Sequence, residues 1–470
     1  MDDFIFLLTE KEAKYKQVYQ QMKILITQGT LQTNDSLPSI RKLAETLQVS
    51  RNTTLTAYEQ LVAEGYIRGE GRKGYFVNAL EPVFLQEQEQ EQEQEQEQEQ
   101  PVLSQPTSNT TSLLVDFRAG AVDQTYFPMK TWRQLANQVL QEPSCYQYGE
   151  LFGDPLLKEQ LVPYLLQARG VSTTSENIMI GSSTQQMLLY VGFLLKDHFP
   201  SVLLEDPGYN GAREAFQLHR FVIETLPVME TGAQLDILKH CQARLLYVTP
   251  SHHFPYGVSM TIQQRQTLIQ WAQQVNGYIL EDDYDGEFRY TQQPFPALAS
   301  IDPSKVIYLG TFSKSFLPGV RLSYMVLPNT LVQPFKERFA HFEQNASSLH
   351  QRTMAQFMAQ GEWTRHIKRM RLTYKQKMQH LVQELQRQFG PQIAVLGEQS
   401  GLYIVVKVKS PLSEQQLIQR AETYGVKVYP TSPFFINQTS EDPLLQLGFS
   451  KLTMEEIKLG VERLKEAWQP

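Results

Sequence analysis

Apolar positions repeat first at helical and then at strand spacing in the N-terminal part of the chain. Between Tyr15 and Thr27, the residues Val18, Met22, Leu25 and Ile26 fall on one stripe and Gly29 closes it, which predicts an amphipathic helix. A shorter helix is predicted over 39–47. Ser50 has the side chain of an N-cap, placing a third helix from there to about Ala63, with Gly65 as its stop. Tyr66 to Val77 then alternates around Gly69, Gly71 and Gly74, a pattern of two short strands and a tight turn. The product is three helices and a β-wing.

The pattern lapses from Gln86 to Gln100, where Glu and Gln alternate, and it stays silent through Pro101, Pro106 and a polar run to Ser112. Such a stretch cannot bury a core and reads as a solvated tether. Short apolar runs resume at 177–180, 201–205, 244–249, 278–281, 305–309 and 322–327, separated by amphipathic stretches. Buried runs alternating with helices predict a mostly parallel α/β sheet. From about Pro328 the chain reads as a long helical stretch, and Gly401 to Val408 as a strand of a smaller α+β lobe. The expected organisation is therefore a small domain over 1–80, a flexible Glu-Gln-rich linker over 81–112, and a two-lobed domain over 113–470.

Composition narrows the setting. The formal charge is −7, but seven Glu lie in the tether, so the remainder sums to zero and overall charge excludes little. Cys145 and Cys241 match neither a disulfide framework nor a metal-ligand spacing, and no metal is expected. Apolar character at the start covers only Phe4 to Leu8, behind Asp2 and Asp3, and no run reaches the ~20 residues of a membrane span. A cytoplasmic protein without a membrane partner is expected.

Two constellations carry chemistry. In the first domain, the third helix opens with Ser50-Arg51-Asn52-Thr53. Arg can fork onto a guanine edge and Asn can pair with adenine, while hydroxyls and helix N-terminal amides suit phosphate oxygens. Taken alone, an exposed helix with a polar first turn would look similar. The ordered pieces Leu37-Pro38-Ser39-x-Arg41-x-Leu43-Ala44, Val49-Ser50-Arg51-Asn52-Thr53, Leu61-x-x-Glu64-Gly65-Tyr66 and Gly71-Arg72-x-Gly74-Tyr75-Phe76-Val77 resemble the GntR-family winged helix-turn-helix. That resemblance implies that Arg41, Ser50, Arg51, Asn52, Thr53, Arg72 and Lys73 face double-stranded operator DNA.

In the second domain, Ile279-Leu280-Glu281-Asp282-Asp283-Tyr284-Asp285 puts carboxylates after a buried strand, where an α/β sheet exposes its ligand site. Gly310-Thr311-Phe312-Ser313-Lys314-Ser315 follows another strand and leads to Pro318-Gly319-Val320-Arg321. Singly, an acidic cluster is also a metal site or a solvated turn, and a Ser-Lys pair is also ordinary surface. In this order, and with Gly181-Ser182-Ser183-Thr184-Gln185 and Asp206-Pro207-Gly208-Tyr209, they resemble the fold type I aminotransferases, which use pyridoxal 5'-phosphate (PLP). The resemblance implies that Lys314 forms the Schiff base, Asp282 faces the pyridine nitrogen, Tyr284 the phenolic oxygen, and Tyr209 stacks on the ring. Ser183, Thr184, Gln185, Thr311, Ser313 and Arg321 would hold the phosphate, and Tyr148 would reach across from a dimer partner.

Two positions depart from that family. Its Asn-Pro-x-Gly motif stands here as Phe254-Pro255-Tyr256-Gly257, leaving His252, His253 or neither to replace the asparagine. Its carboxylate-binding arginine has given way to Gln446 in Leu445-Gln446-Leu447-Gly448-Phe449, which brings no charge and no fork. Arg213 is the remaining candidate cation for a carboxylate. The two domains in this order resemble the MocR subfamily of GntR regulators. This implies a head-to-tail, domain-swapped homodimer that senses PLP, or an amino compound forming an aldimine with it, with little or no full transamination. The competing expectation is a working aminotransferase with a DNA-binding appendage.

Overall fold

The computed structural model describes residues 13–79, 114–290, 296–437, 440 and 442–469, apart from the side chain of Arg72. They fall into two compact units on either side of the Glu-Gln tract, which itself lies outside the described residues, as does the expected 81–112 linker.

In the first unit, α1 (Lys14–Thr27), α2 (Ile40–Thr46) and α3 (Arg51–Ala63) precede an antiparallel wing of β1 (Ile67–Gly69) and β2 (Tyr75–Val77). Val18, Met22 and Ile26 of α1 pack with Leu43, Ala57, Tyr58, Leu61, Ile67 and Val77 in one core. Each turn is chemically marked. Ser39 Oγ accepts from the Lys42 amide at the start of α2, Ser50 Oγ accepts from the Thr53 amide at the start of α3, and Gly65 takes a φ of 79° that a side chain would resist.

The second unit opens with β3 (Val115–Asp116). Its large lobe holds β4 (Ile178–Gly181), β5 (Ser201–Asp206), β6 (Val222–Met229), β7 (Gly232–Ala233), β8 (Leu245–Val248), β9 (Tyr278–Asp282), β10 (Val306–Thr311) and β11 (Ser323–Val326). They form one sheet in the order β4-β11-β10-β9-β8-β5-β6-β7. Pairing is parallel from β10 through β6, while β11 runs antiparallel to both neighbours and β7 closes a hairpin on β6. Alternate residues serve opposite faces: Val202 and Leu204 join one helical layer, while Leu203 joins the other. Burial on both faces is why these strands are unbroken apolar runs.

The small lobe is a sheet of β12 (Ile393–Leu396), β13 (Tyr403–Val408), β15 (Tyr429–Pro430) and β16 (Leu444–Gly448), in the order β12-β13-β16-β15, while β14 (Val426–Lys427) pairs with β3. The stretch expected as one long helix after Pro328 is three: Asn329–Arg338, Ser348–Ala359 and Glu362–Phe389. Ser347 caps the second, and Gly361, at a φ of 74°, separates it from the third. Among the described residues no helix is long and apolar enough to cross a membrane.

Candidate functional site

The carboxyl ends of β5, β8, β9 and β10 open into a cavity of about 430 Å³, the place where an α/β sheet receives its ligand. Every cofactor-facing residue expected from the sequence lines it except Tyr148, which is 93% exposed on this chain. Asp282 ends β9, Lys314 follows β10 by three residues, and Tyr209 follows β5. The sheet thus brings together groups that lie up to 138 residues apart, from Ser183 to Arg321.

One end of the cavity, where the sequence leads to the expectation of a phosphate, is built from a helix start. Ser183 caps the helix Thr184–Leu195 through a bond from the Gln186 amide, so free amides and the positive end of the helix dipole face the cavity beside Thr311, Ser313 and Arg321. Thr311 Oγ1 accepts from the Ser313 amide at 3.1 Å, which shapes the turn into Lys314. Arg321 holds a left-handed φ of 50°, an uncommon conformation for a side chain of its size.

At the other end, Asp282 is 4% exposed. Its Oδ2 accepts from the Tyr247 hydroxyl at 2.6 Å, and its Oδ1 has no hydrogen-bond partner among the described residues. Burial pushes its carboxyl up to about 7, with Asp283 and Asp285 adding to the shift. A buried oxygen left open in a cavity fits a cationic N–H donor, as the PLP pyridine ring presents when protonated. Burial also lowers the Lys314 amine from its ordinary value, against the pull of Asp285 and Asp282, and so enlarges its nucleophilic neutral fraction. Gly120 keeps space for it: a Cβ there would lie 2.1 Å from Lys314 Nζ. The residues present therefore fit PLP, which when bound supplies an aldehyde for a primary amine and an electron-accepting ring.

Tyr284 sits between the lobes. Its hydroxyl donates to the His252 carbonyl at 2.9 Å and lies 3.2 Å from the Tyr403 hydroxyl of β13. Neither histidine replaces the missing asparagine at the cavity wall, and neither is an idle turn residue. His252 Nδ1 meets Asp285 at 2.8 Å, His253 Nε2 donates to the Pro207 carbonyl at 3.1 Å, and Phe254 itself lines the cavity. Burial lowers His253 to about 3, which keeps it neutral. Arg213 is also turned away, donating to the carbonyls of Phe435 and Pro433 at 3.2 and 3.1 Å. Tyr247, Thr249, Gly120, Tyr403 and Phe434 line the cavity without having been singled out from sequence. For Tyr247 a signal existed, since a tyrosine inside an otherwise apolar strand needs a hydroxyl partner.

In the first unit, Arg51 and Asn52 are exposed at the start of α3, with Thr53 half-buried. Their direction is set from behind by Thr54, Ala57, Tyr58 and Leu61, and the Tyr58 hydroxyl donates to the Pro38 carbonyl at 2.9 Å. Ser50 is committed to its cap. Arg41 makes a solvent-exposed pair with Glu45, which is worth little and leaves it available. Lys73 is exposed in the wing turn Gly71–Lys73, where Arg72 also lies.

Comparison with known proteins agrees with both halves. Residues 114–464 match the family "Aminotransferase class I and II" and residues 14–77 match "Bacterial regulatory proteins, gntR family". A winged helix ahead of a PLP-binding aminotransferase fold defines a transcription regulator of two chemistries. The chain belongs to the aminotransferase class I and II family and to the HTH-type transcriptional regulators, and its GntR winged helix ahead of that domain is consistent with the MocR subfamily. It is 37% identical to the HTH-type transcriptional regulator YdeL of Bacillus subtilis (strain 168), covering 97% of this chain and 96% of that one. It is 29% identical to the probable rhizopine catabolism regulatory protein MocR of Rhizobium meliloti, covering 97% and 93%. The α-aminoadipate aminotransferase LysN of Thermus thermophilus, solved with N-(5'-phosphopyridoxyl)-L-leucine, superimposes at a TM-score of 0.69 with 27% identity, covering 77% of this chain and 93% of that one. The winged helix binds DNA, and PLP is the cofactor of the second unit.

Proposed function

We propose that this regulator holds PLP on Lys314 and changes its operator affinity when PLP itself, or an amino compound joined to PLP, occupies the cavity. One observation carries the reading: the cavity keeps the residues that fit the cofactor, while Gln446 stands where turnover would need a forked cation. Asp282 faces the pyridine nitrogen, Tyr284 the phenolic oxygen, Tyr209 the ring, and the Ser183-Thr184-Gln185 helix start, Thr311, Ser313 and Arg321 the phosphate. Without an arginine to fix an amino acid, proton removal at the reacting carbon is poorly oriented, and recognition outlasts chemistry.

On the DNA side, Arg51 and Asn52 read base edges while Arg41, Thr53, Arg72 and Lys73 meet the backbone, and the protein works in the cytoplasm as a head-to-tail, domain-swapped homodimer. Tyr148, exposed on a single chain, belongs to the partner's cavity in that assembly. The test is made on the purified full-length chain. Wild type is expected to carry a yellow band trapped by borohydride on Lys314, to shift that band with an effector amine, and to change operator affinity at fixed salt. Lys314→Ala should lose the band and the response together. Steady transamination near ~10 s⁻¹ with no effect of the same amine on DNA binding would instead establish an aminotransferase with a DNA-binding appendage.

A further inference from the structure

Gln446 lies at the middle of β16, opposite Val405 of β13 and Tyr429 of β15. Leu445 and Leu447 beside it enter the small-lobe core, so the alternation of the strand turns Gln446 to the cavity. It is 4% exposed, and its Nε2 has no hydrogen-bond partner among the described residues. Buried polar groups in folded proteins are paired, so an open amide at a cavity wall marks the place of a ligand atom. An amide donates and accepts but carries no charge.

The charges around it set the kind of atom. Among the described residues lining the cavity, the ionisable cations are Lys314 and Arg321, and the acids are Asp282 and Asp285. In the proposed reading Lys314 carries the cofactor and Arg321 faces its phosphate, so neither is left for an effector's far end. Arg213 spends its guanidinium on two backbone carbonyls. The same cavity is lined by Tyr403, Phe434, Phe254 and Leu402, with Phe254 and Phe434 packed edge to face at 4.5 Å between ring centres.

We propose that the effector of this cavity is a primary amine bearing a neutral hydrogen-bonding group, such as a carboxamide, where an ordinary amino acid bears its α-carboxylate. The inference rests on the reading of the cavity as an amine-sensing PLP site, and it names the chemical class that site selects. A carboxylate placed against Gln446 would surrender its hydration to an uncharged wall, with no fork in return. A carboxamide would pair with the Gln446 amide and has no charge to desolvate. Desolvation of a charge that no cation offsets corresponds to roughly tenfold to hundredfold in affinity.

The experiment uses the PLP-loaded full-length chain and reads both the cofactor absorbance and calorimetric affinity. The probes are L-phenylalaninamide, 2-phenylethylamine and L-phenylalanine, with L-norvalinamide, n-butylamine and L-norvaline as the aliphatic set. In each set that binds, the amide should bind at least tenfold tighter than its amino acid, and Gln446→Leu should erase the amide's advantage over the plain amine. Gln446→Arg should raise the affinity for the amino acid at least tenfold. An amino acid binding wild type as tightly as its amide would overturn the inference while leaving the amine-sensing reading intact. A chain that holds PLP yet responds to none of the six amines would overturn that reading, and this inference with it.

Discussion

Asp282 is held in the fold at a cost to the fold. Its ordinary carboxyl value near 3.8 rises to about 7 on burial, so between about pH 4 and 7 the folded chain keeps a proton that the unfolded chain has released. Stability contributed by this group is therefore greatest at low pH and falls as pH rises through that window. In the proposed reading bound PLP would reverse the balance, because a protonated ring nitrogen would give the charged carboxylate a partner. In the cofactor-free protein, Asp282→Asn is expected to raise stability by about 2 kcal/mol or more at pH 8 and by much less at pH 5. Urea unfolding at the two pH values measures the difference, and PLP titration should show the same variant losing cofactor affinity. A variant less stable than wild type at pH 8 would show that Asp282 is not a burdened acid.

Elements differed in how openly they were written. The interior strands β5, β8, β9 and β10 are apolar on both faces and were expected within one or two residues of their observed ends. The longest strand of the sheet, β6, left no such run, since it lies toward the sheet edge, is largely half-buried, and mixes Glu224, Thr225 and Pro227 among its apolar residues. The helix α3 was legible because its ends are written in local chemistry. Ser50 and Arg51 should therefore separate by experiment. Ser50→Ala removes a cap and should lower the stability of the first unit by about 1 kcal/mol, weakening operator and random DNA alike. Arg51→Ala should leave that stability unchanged and cost ~1–3 kcal/mol of operator discrimination. Thermal melts and paired binding isotherms at one salt concentration distinguish the two, and equal losses on both duplexes for Arg51→Ala would remove it from base reading.

At the scale of the whole molecule, the proposed regulation is a coupling between an amine in one unit and DNA on the other. Such coupling is reciprocal: if the amine changes operator affinity by some factor, operator must change amine affinity by the same factor. Titrating the cofactor absorbance with amine, with and without saturating operator duplex, should return the ratio found from DNA isotherms with and without amine. Typical couplings of about 1–3 kcal/mol predict a factor of roughly five to one hundred and fifty. Unequal ratios would mean that the amine acts on DNA binding by another route, such as association of chains.

By itself, the sequence determined the two-part organisation and the winged helix with its caps, and it singled out Lys314, Asp282 and the hydroxyls of Ser183, Thr184, Thr311 and Ser313 that the fold gathers in one cavity, because each depends on local periodicity or on a short motif. It also displayed the loss of the arginine at Gln446. Only the tertiary structure decided what surrounds these groups. Tyr247 meets Asp282 because β8 and β9 are neighbours, Gly120 reaches Lys314 from far along the chain, and Arg213 is drawn off by backbone carbonyls more than two hundred residues away. Which face a side chain presents, and whether a polar atom finds a partner, are set by contacts between segments that no local pattern encodes.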